Sequence, residues 1–196
     1  MVAPPDMNSE SPEPGGRDPA PGELRLVQQF INSVDLEGGI EELDSPAALS
    51  GWLQAHGLTP SRLRLTRADL ERAREFRELL RHLALANNNL PISADSFATL
   101  NKELTTMPLV GTLDGGSTKL RPVGAGLDRA LGQLVAIVVT ATLSGHWHRL
   151  KGCARDVCHW VFYDQSRSGT GTWCTMAICG SRTKANAYYR RRHQKR

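Results

Sequence analysis

The chain has 196 residues, of which 40% are hydrophobic and 22% charged, and its net charge is +4. This length and composition suffice for one well-packed core and a small additional module. Met1 is followed by a segment rich in Pro, Glu, Asp and Gly rather than by a basic patch and an apolar run. We therefore expect no secretory signal and a location in the reducing cytoplasm, where disulfides are rare.

Residues 1–21 contain six prolines and two glycines but almost no large apolar side chain. Such a segment cannot bury enough apolar surface to offset its conformational entropy, so a disordered tail is predicted. From Glu23 the pattern changes, because apolar residues recur at helical spacing. This spacing predicts an amphipathic helix over residues 23–35.

Further helix starts follow along the chain. Ser45 before Pro46 is typical of a cap followed by a proline in the first helical turn. Thr66 and Asp69 form a capping-box pattern that opens the strongest predicted helix, and we expect this helix to end at the asparagines of residues 87–89. Five arginines on its outer face are interleaved with glutamates, which favours a solvated face over contact with an acidic partner. They are Arg67, Arg72, Arg74, Arg77 and Arg81.

Three more elements are predicted before residue 145. Ser93 caps a helix that reaches about Leu104. The segments 109–113 and 119–123 form a hairpin, because the Asp-Gly-Gly turn between them supplies the positive φ that a tight turn needs. Residues 127–144 are apolar nearly all round, yet the uninterrupted part is too short for a membrane span. We expect a buried central helix here and no contact with a membrane.

All four cysteines lie within residues 153–179, with the spacing C-x4-C-x15-C-x4-C. Two such pairs are typical of a tetrahedral structural zinc site, since thiolates suit this borderline-soft ion. Disulfides or a redox pair would be the alternatives, and neither a secretory signal nor a C-x-x-C motif supports them. The predicted ligands of one structural Zn²⁺ are Cys153, Cys158, Cys174 and Cys179.

The rest of this segment predicts a ribbon-like module around the metal. We expect a hairpin that turns at residues 168–171, a strand that ends at Cys174, and a helix from about Thr175 to His193. Trp160, Phe162 and Trp173 are expected to form a small core over the metal, because a module of this size has little else to bury. With four thiolates present, we treat the nearby histidines as non-ligands; these are His146, His148 and His159.

The sequence from Arg149 onwards resembles the CGNR zinc finger, a bacterial C-terminal module. The resemblance includes both cysteine pairs and, with one departure, the signature: the family's Cys-Gly-Asn-Arg stands here as Cys179-Gly180-Ser181-Arg182. The segment with Phe30-Ile31-Asn32-Ser33 is similar to the ABATE domain, which precedes this finger in the family. The resemblance implies a transcription regulator with an ABATE-like domain over residues 22–145 and a finger over residues 149–196.

Charge is unevenly distributed between the two parts. Residues 149–196 hold 11 Lys and Arg against two acidic residues, a net charge of +9, whereas the preceding 148 residues carry −5. This distribution favours a basic module that binds a polyanion, although a solvated basic tail has the same composition. The candidate nucleic-acid-binding residues of the last helix are Ser181, Arg182, Lys184, Asn186, Tyr189, Arg190, Arg191 and Arg192.

Together these patterns predict an α+β protein: a mainly helical N-terminal domain with a β-hairpin, and a treble-clef-like four-cysteine zinc finger that ends in a helix. We expect a cytoplasmic, nucleoid-associated regulator of transcription that binds double-stranded DNA, as a homodimer if one finger gives too little specificity. RNA binding and a protein-interaction adaptor are the alternatives. No open metal site, nucleophile elbow or phosphate loop indicates an enzyme, and no residue pattern identifies a small-molecule effector.

Overall fold

The computed structural model describes residues 13–185 and confirms an α+β fold. Its helices are α1 (Leu24–Ile31), α2 (Pro46–Ala55), α3 (Arg67–Ala86), α4 (Ala94–Leu104) and α5 (Gly126–Leu143). Three antiparallel two-stranded sheets pair β1 (Val34–Asp35) with β2 (Ile40–Glu41), β3 (Leu109–Asp114) with β4 (Ser117–Pro122), and β5 (Leu150–Gly152) with β6 (Val161–Tyr163). A π-helical turn (Met176–Gly180) continues into a C-terminal helix that is described over residues 181–185.

The predicted helix starts are confirmed at α2, α3 and α4. The Ser45 side chain accepts a hydrogen bond from the backbone N–H of Ala48 at 3.1 Å, and Ser93 caps α4 in the same way. Thr66 and Asp69 form the reciprocal capping box of α3, in which the Asp69 carboxylate accepts from the Thr66 N–H at 2.7 Å. These side chains satisfy backbone donors that have no partner within the helix.

The first helix is shorter than predicted, because α1 ends at Ile31 instead of residue 35. The Ser33 hydroxyl donates to the Phe30 carbonyl at 2.8 Å, and the Asn32 side chain binds a distant strand. These side chains compete with helical hydrogen bonding, and the chain turns into the short β1–β2 hairpin. Two-residue strands leave too little alternation for a sequence pattern to show them.

The main core is enclosed by α1, α2, α3 and α5. Phe30 is fully buried at its centre, with ring centroids 5.5 Å from Trp52 and 6.4 Å from Phe76. The core also receives Leu150 and Val161 from the β5–β6 sheet. The C-terminal part of the chain therefore shares the hydrophobic core of the N-terminal part.

Helix α5 is long and apolar enough to pass a composition test for a membrane span. In this fold it packs against α1 and β4, and it buries Leu127, Ala130, Leu131 and Leu134 in the main core. A core helix passes the same composition test, and these contacts account for the apolar residues of α5 on its inner side.

The arginine-rich face of α3 is solvated only in part: Arg67 is exposed as predicted, but the side chains of Arg77 and Arg81 are only 4% and 2% exposed. Arg77 forms a bidentate ion pair with Glu41, with both N–O distances 2.7 Å. Arg81 donates to the carbonyl oxygens of Ile31 and His159 at 2.6 and 3.1 Å. Charged heads with such partners can be buried, and a sequence pattern cannot reveal the partners supplied by other elements.

Residues 13–21 lie within the predicted disordered tail, but the structure describes them as packed against α1. Glu13 is 5% exposed and pairs with Arg25 at 3.1 Å. The Ala20 N–H donates to the Gln28 side chain at 2.6 Å. These contacts come from α1, so the composition of the segment alone did not indicate them. Residues 1–12 lie outside the described part of the chain.

Glu41→Gln is expected to lower the free energy of unfolding by about 2 kcal/mol at neutral pH, because buried Arg77 loses its charged partner. Burial alone would raise the pKa of Glu41, but the bonds from Arg77 and the Leu43 N–H lower it. The contribution is thus present above the unfolded pKa of this carboxyl group and is lost as the pH falls through the lower folded value. Urea unfolding at neutral pH and at about pH 3 should show this loss.

The control for this experiment is Glu75→Gln, which removes the same charge from an exposed position on α3. Equal stabilities of the wild type and both variants at neutral pH would contradict the role of the Arg77–Glu41 pair.

Candidate metal centre and nucleic-acid interface

The four cysteines meet at one buried point. Their Sγ atoms all lie within 4.8 Å of one another, and the four side chains are at most 6% exposed. The Sγ of Cys174 lies 3.8 Å from that of Cys158 and 3.6 Å from that of Cys179. Tetrahedral zinc with Zn–S bonds of ~2.3 Å requires S–S separations of ~3.8 Å. The arrangement therefore fits one tetrahedral Zn²⁺ with four thiolate ligands.

The chemistry of this donor set also favours a bound cation. Hydrogen bonds with the thiols of Cys153 and Cys174, together with burial, raise the pKa of Cys158. Four thiolates so close together repel one another, and a divalent cation offsets that repulsion when it binds. A metal ion would therefore stabilise the deprotonated form of these four cysteine thiols.

The first cysteine pair flanks a turn in the connection between β5 and β6. Cys153 follows β5, and its N–H donates to the Trp160 carbonyl at 2.9 Å. The Cys158 N–H donates to the Arg155 carbonyl at 2.8 Å, and His159 then takes a positive φ of 47°. This left-handed residue turns the chain back into β6, so both thiols project toward the same point.

The predicted hairpin at residues 168–171 is wrong, since the strands of the finger are β5 and β6 and Cys174 lies in a bend. The loop is instead held by Asp164, which is 3% exposed. Its carboxylate accepts from the N–H groups of Ser166 and Gly171 and from the Lys151 ammonium, at 3.1, 2.7 and 2.8 Å. Asp164 therefore binds two backbone amides and forms an ion pair with Lys151.

Asp164 is ionised throughout the ordinary pH range. Burial alone would raise its pKa, but the hydrogen bonds from Lys151, Ser166 and the Gly171 N–H lower it to about 2. The Lys151 ammonium also donates to the carbonyl oxygens of Gly169 and Gly171, at 2.5 and 3.2 Å. One buried ion pair therefore fixes the loop that leads to the second cysteine pair.

The second cysteine pair brackets a helix start, as predicted. The Thr175 side chain accepts from the Ile178 N–H at 3.2 Å, and the π-helical turn that follows carries Cys179. A Cβ at Gly180 would come within 2.7 Å of the Met176 sulfur, so a side chain there would require Met176 to move. Ser181 donates its hydroxyl to the Met176 carbonyl at 3.0 Å, and in this way it closes the turn.

Aromatic residues cover the cysteine cluster. Trp160, Phe162 and Trp173 pack around it with Ile178, which confirms the small core that the sequence predicted. The Arg17 guanidinium lies 4.5 Å from the centre of the Trp160 ring. Burial would lower the pKa of Arg17, but interactions with the nearby thiolates raise it. A second cation lies next to the cysteine cluster: an Arg155 nitrogen is 4.0 Å from the Cys179 sulfur.

Amide side chains from the N-terminal part bind the backbone of the finger. Asn32 donates to the Val161 carbonyl at 2.7 Å and accepts from the Val161 N–H at 2.9 Å. Asn87 donates to the carbonyl oxygens of Trp147 and Leu150 at 2.8 and 2.9 Å. Sequence reasoning assigned Asn87 only to a helix end, and nothing in the local pattern indicated its long-range partners.

Asn88 extends this contact toward the second half of the finger. Its amide donates to the carbonyl oxygens of Gly152 and Thr172 at 2.7 and 2.9 Å. At the same place a Cβ on Gly152 would come within 2.5 Å of the Leu85 side chain. The chain of β5 therefore passes α3 at a distance that only glycine allows.

Three of the predicted nucleic-acid-binding residues lie in the described helix. Ser181, Arg182 and Lys184 are exposed, and Arg182 pairs with Glu37 of the β1–β2 turn at 2.8 Å. The other five lie outside the described residues: Asn186, Tyr189, Arg190, Arg191 and Arg192. The structure thus places the start of the predicted interface directly after the fourth cysteine.

Comparison with known families matches both parts of the chain. The CGNR zinc finger model matches residues 149–192. The model of ABATE, described as “Putative stress-induced transcription regulator”, matches residues 24–156. The two matches overlap over β5 and the first cysteine, which agrees with the shared core. No curated protein matches the chain.

Asp164→Asn and Lys151→Met are each expected to lower the free energy of unfolding by about 3 kcal/mol, because each leaves an unpaired charge or an unsatisfied polar group buried. The double variant should lose less than the sum of the two, since both charges are then absent. Guanidinium unfolding of the zinc-loaded protein, followed by tryptophan fluorescence, measures this cycle. Strictly additive losses would show that the pair does not act as a unit.

Proposed function

The chain belongs to the ABATE family and carries a CGNR zinc finger, and on this basis we propose that it is a zinc-dependent transcription regulator that binds double-stranded DNA. The observation that carries the proposal is the position of the four-cysteine cluster, immediately before a basic helix. A metal at this point would fix the start of the helix and therefore its direction.

The zinc ion is assigned to Cys153, Cys158, Cys174 and Cys179. Four protein ligands fill a tetrahedral coordination shell, so such an ion organises the fold and keeps no position for a substrate. Arg17 and Arg155 support the assignment, because a zinc ion with four thiolates carries a net charge of −2 and nearby cations offset it. This donor set and the family suggest a regulator and not an enzyme.

DNA contact is assigned to the exposed start of the C-terminal helix and to the basic residues that follow it. Arg182 and Lys184 are exposed next to the metal centre, and residues 149–196 carry a net charge of +9. Arginine and lysine bind phosphates, and arginine and asparagine also bind base edges in the major groove. The N-terminal part carries −5 and would be repelled by the same phosphates, so it favours contact through the finger.

The N-terminal part is assigned a regulatory role, with residues 22–145 as its proposed extent. A shallow groove of about 370 Å³ lies between α3 and α4. The surface that faces this groove is mostly apolar, although charged residues contribute to it, and it identifies no class of effector. A homodimer belongs to the same proposal, because one short finger reads few base pairs. A cytoplasmic, nucleoid-associated location is proposed as well, because the DNA would lie there.

RNA is the first alternative partner, because the same cations would bind its phosphates. A protein-interaction adaptor is the second. The adaptor is favoured by Leu113 near the tip of the β3–β4 hairpin, which is 85% exposed. An exposed apolar side chain contributes nothing to phosphate binding, whereas a protein partner would cover it.

Cys158→Ser is expected to abolish stoichiometric zinc binding and the hydrogen-exchange protection of residues 153–158 and 174–180, because metal binding supplies folding energy to such modules. Protection should persist in α2, α3 and α4, whose buried side chains pack on one another. Elemental analysis and exchange mass spectrometry measure both effects, with Ala154→Ser on the same turn as the control. Retained protection around Cys174 would contradict a metal-dependent finger.

Binding to a random-sequence duplex pool should weaken steeply with salt. Replacing Arg190, Arg191 and Arg192 together with Ala should reduce the slope of log Kd against log salt by about 2 to 3, since each phosphate contact contributes about 0.9. The control removes three exposed cations from the N-terminal part, namely Arg62, Arg64 and Arg121. Competition with an RNA of equal length separates the two nucleic acids, and no retained duplex at low salt would favour the adaptor.

A further inference from the structure

Glu37 of the β1–β2 turn holds two arginines of the finger at once. Its carboxylate accepts from two nitrogens of Arg155, at 2.5 and 2.9 Å, and from one nitrogen of Arg182 at 2.8 Å. Arg155 lies on the turn of the first cysteine pair, and Arg182 lies in the C-terminal helix. One carboxylate of the N-terminal part therefore joins both halves of the metal centre.

Hydrogen bonds within the β1–β2 turn fix the position of Glu37. The Asp35 carboxylate accepts from the N–H groups of Glu37 and Gly38 at 3.0 and 2.9 Å. A Cβ on Gly38 would come within 2.7 Å of an Asp35 oxygen, and Gly39 takes a positive φ of 68°. These features hold the turn in one shape, so the Glu37 carboxylate is directed at the finger before any partner binds.

The contact is accessible to a competitor. The Glu37 and Arg182 side chains are 36% and 55% exposed, whereas the Arg155 side chain is 18% exposed. The hydrogen bond from Arg155 is the main cause of a lowered pKa of Glu37, so the carboxylate is charged at neutral pH. A phosphate and a carboxylate present the same geometry to a guanidinium group, and both bind it through paired oxygens.

We propose that Glu37 is an intramolecular competitor of nucleic-acid phosphate, which occupies Arg155 and Arg182 in the free protein and limits the affinity of the finger. This inference rests on the proposed function, because it concerns the same basic surface. DNA must displace the carboxylate from Arg182 and then bind beside a residual negative charge. The N-terminal part thereby sets how tightly the finger binds, through one side chain.

The expected size of the effect follows from the exposure of the pair. Exposed ion pairs are weak and are screened by salt, so their loss changes affinity modestly. Removing the Glu37 charge also removes its repulsion of a nearby phosphate. We expect Glu37→Gln to bind duplex DNA about 3-fold to 10-fold more tightly at low salt, with a slope of log Kd against log salt that is steeper by about one.

The test compares the zinc-loaded full-length wild type with Glu37→Gln and with Glu42→Gln, titrated with one short duplex at several salt concentrations. Glu42 is an exposed carboxylate in the same segment, so its variant removes an equal charge at a different place. Tighter binding by Glu37→Gln alone supports the proposal. Equal gains in both variants would show a general effect of net charge and would overturn it.

A second pair of variants tests the mechanism. If Glu37 acts by occupying Arg182, then Glu37→Gln should give a smaller gain in an Arg182→Ala background than in the wild type. An equal gain would assign the effect to another route and overturn the proposal. Wild-type binding with no response to Glu37→Gln would refute the competitor and leave the DNA-binding function intact, whereas no binding by any variant would refute the function itself.

Discussion

The side chain of Asn32 binds both the N–H and the carbonyl of Val161, as a neighbouring β-strand would. Around this contact the sheet of the finger enters the core of the N-terminal part, with Leu150 and Val161 fully buried. Buried backbone groups at this boundary need partners, and the amides of Asn32, Asn87 and Asn88 supply them. The metal centre consequently sits on a support that is held from both sides, by apolar packing and by directional hydrogen bonds.

Electrostatics shape the same region at shorter range. Four thiolates around a divalent cation would carry a net negative charge, and Arg17 and Arg155 lie close to the sulfurs. Arg155 also faces Glu37, so its charge is shared between a ligand of the metal and an acidic residue of the N-terminal part. Arg155 therefore links the surface of the finger to the N-terminal part, which carries Glu37. A partner that drew Arg155 away from Glu37 would also change the environment of Cys179.

Local patterns in the sequence predicted what depends on neighbours along the chain. The caps at Ser45, Thr66 and Ser93, the β3–β4 hairpin and the α+β class agree with the structure, because each depends on a few adjacent residues. The meeting of the four cysteines follows from their spacing and is likewise present.

The errors arose where distant partners decide the outcome. Arg77 and Arg81 of α3 are buried because β2 and the finger supply acceptors, and residues 13–21 are packed because α1 supplies theirs. The finger sheet was misplaced for the same reason: Lys151 and Asp164, separated by 13 positions, hold the loop without strands. Because the finger shares its core with the N-terminal part, it is not a separable module. Residues 149–196 on their own would leave Leu150 and Val161 facing water, so a chimaera that borrows this finger must also supply a replacement for the surface of α1 and α3.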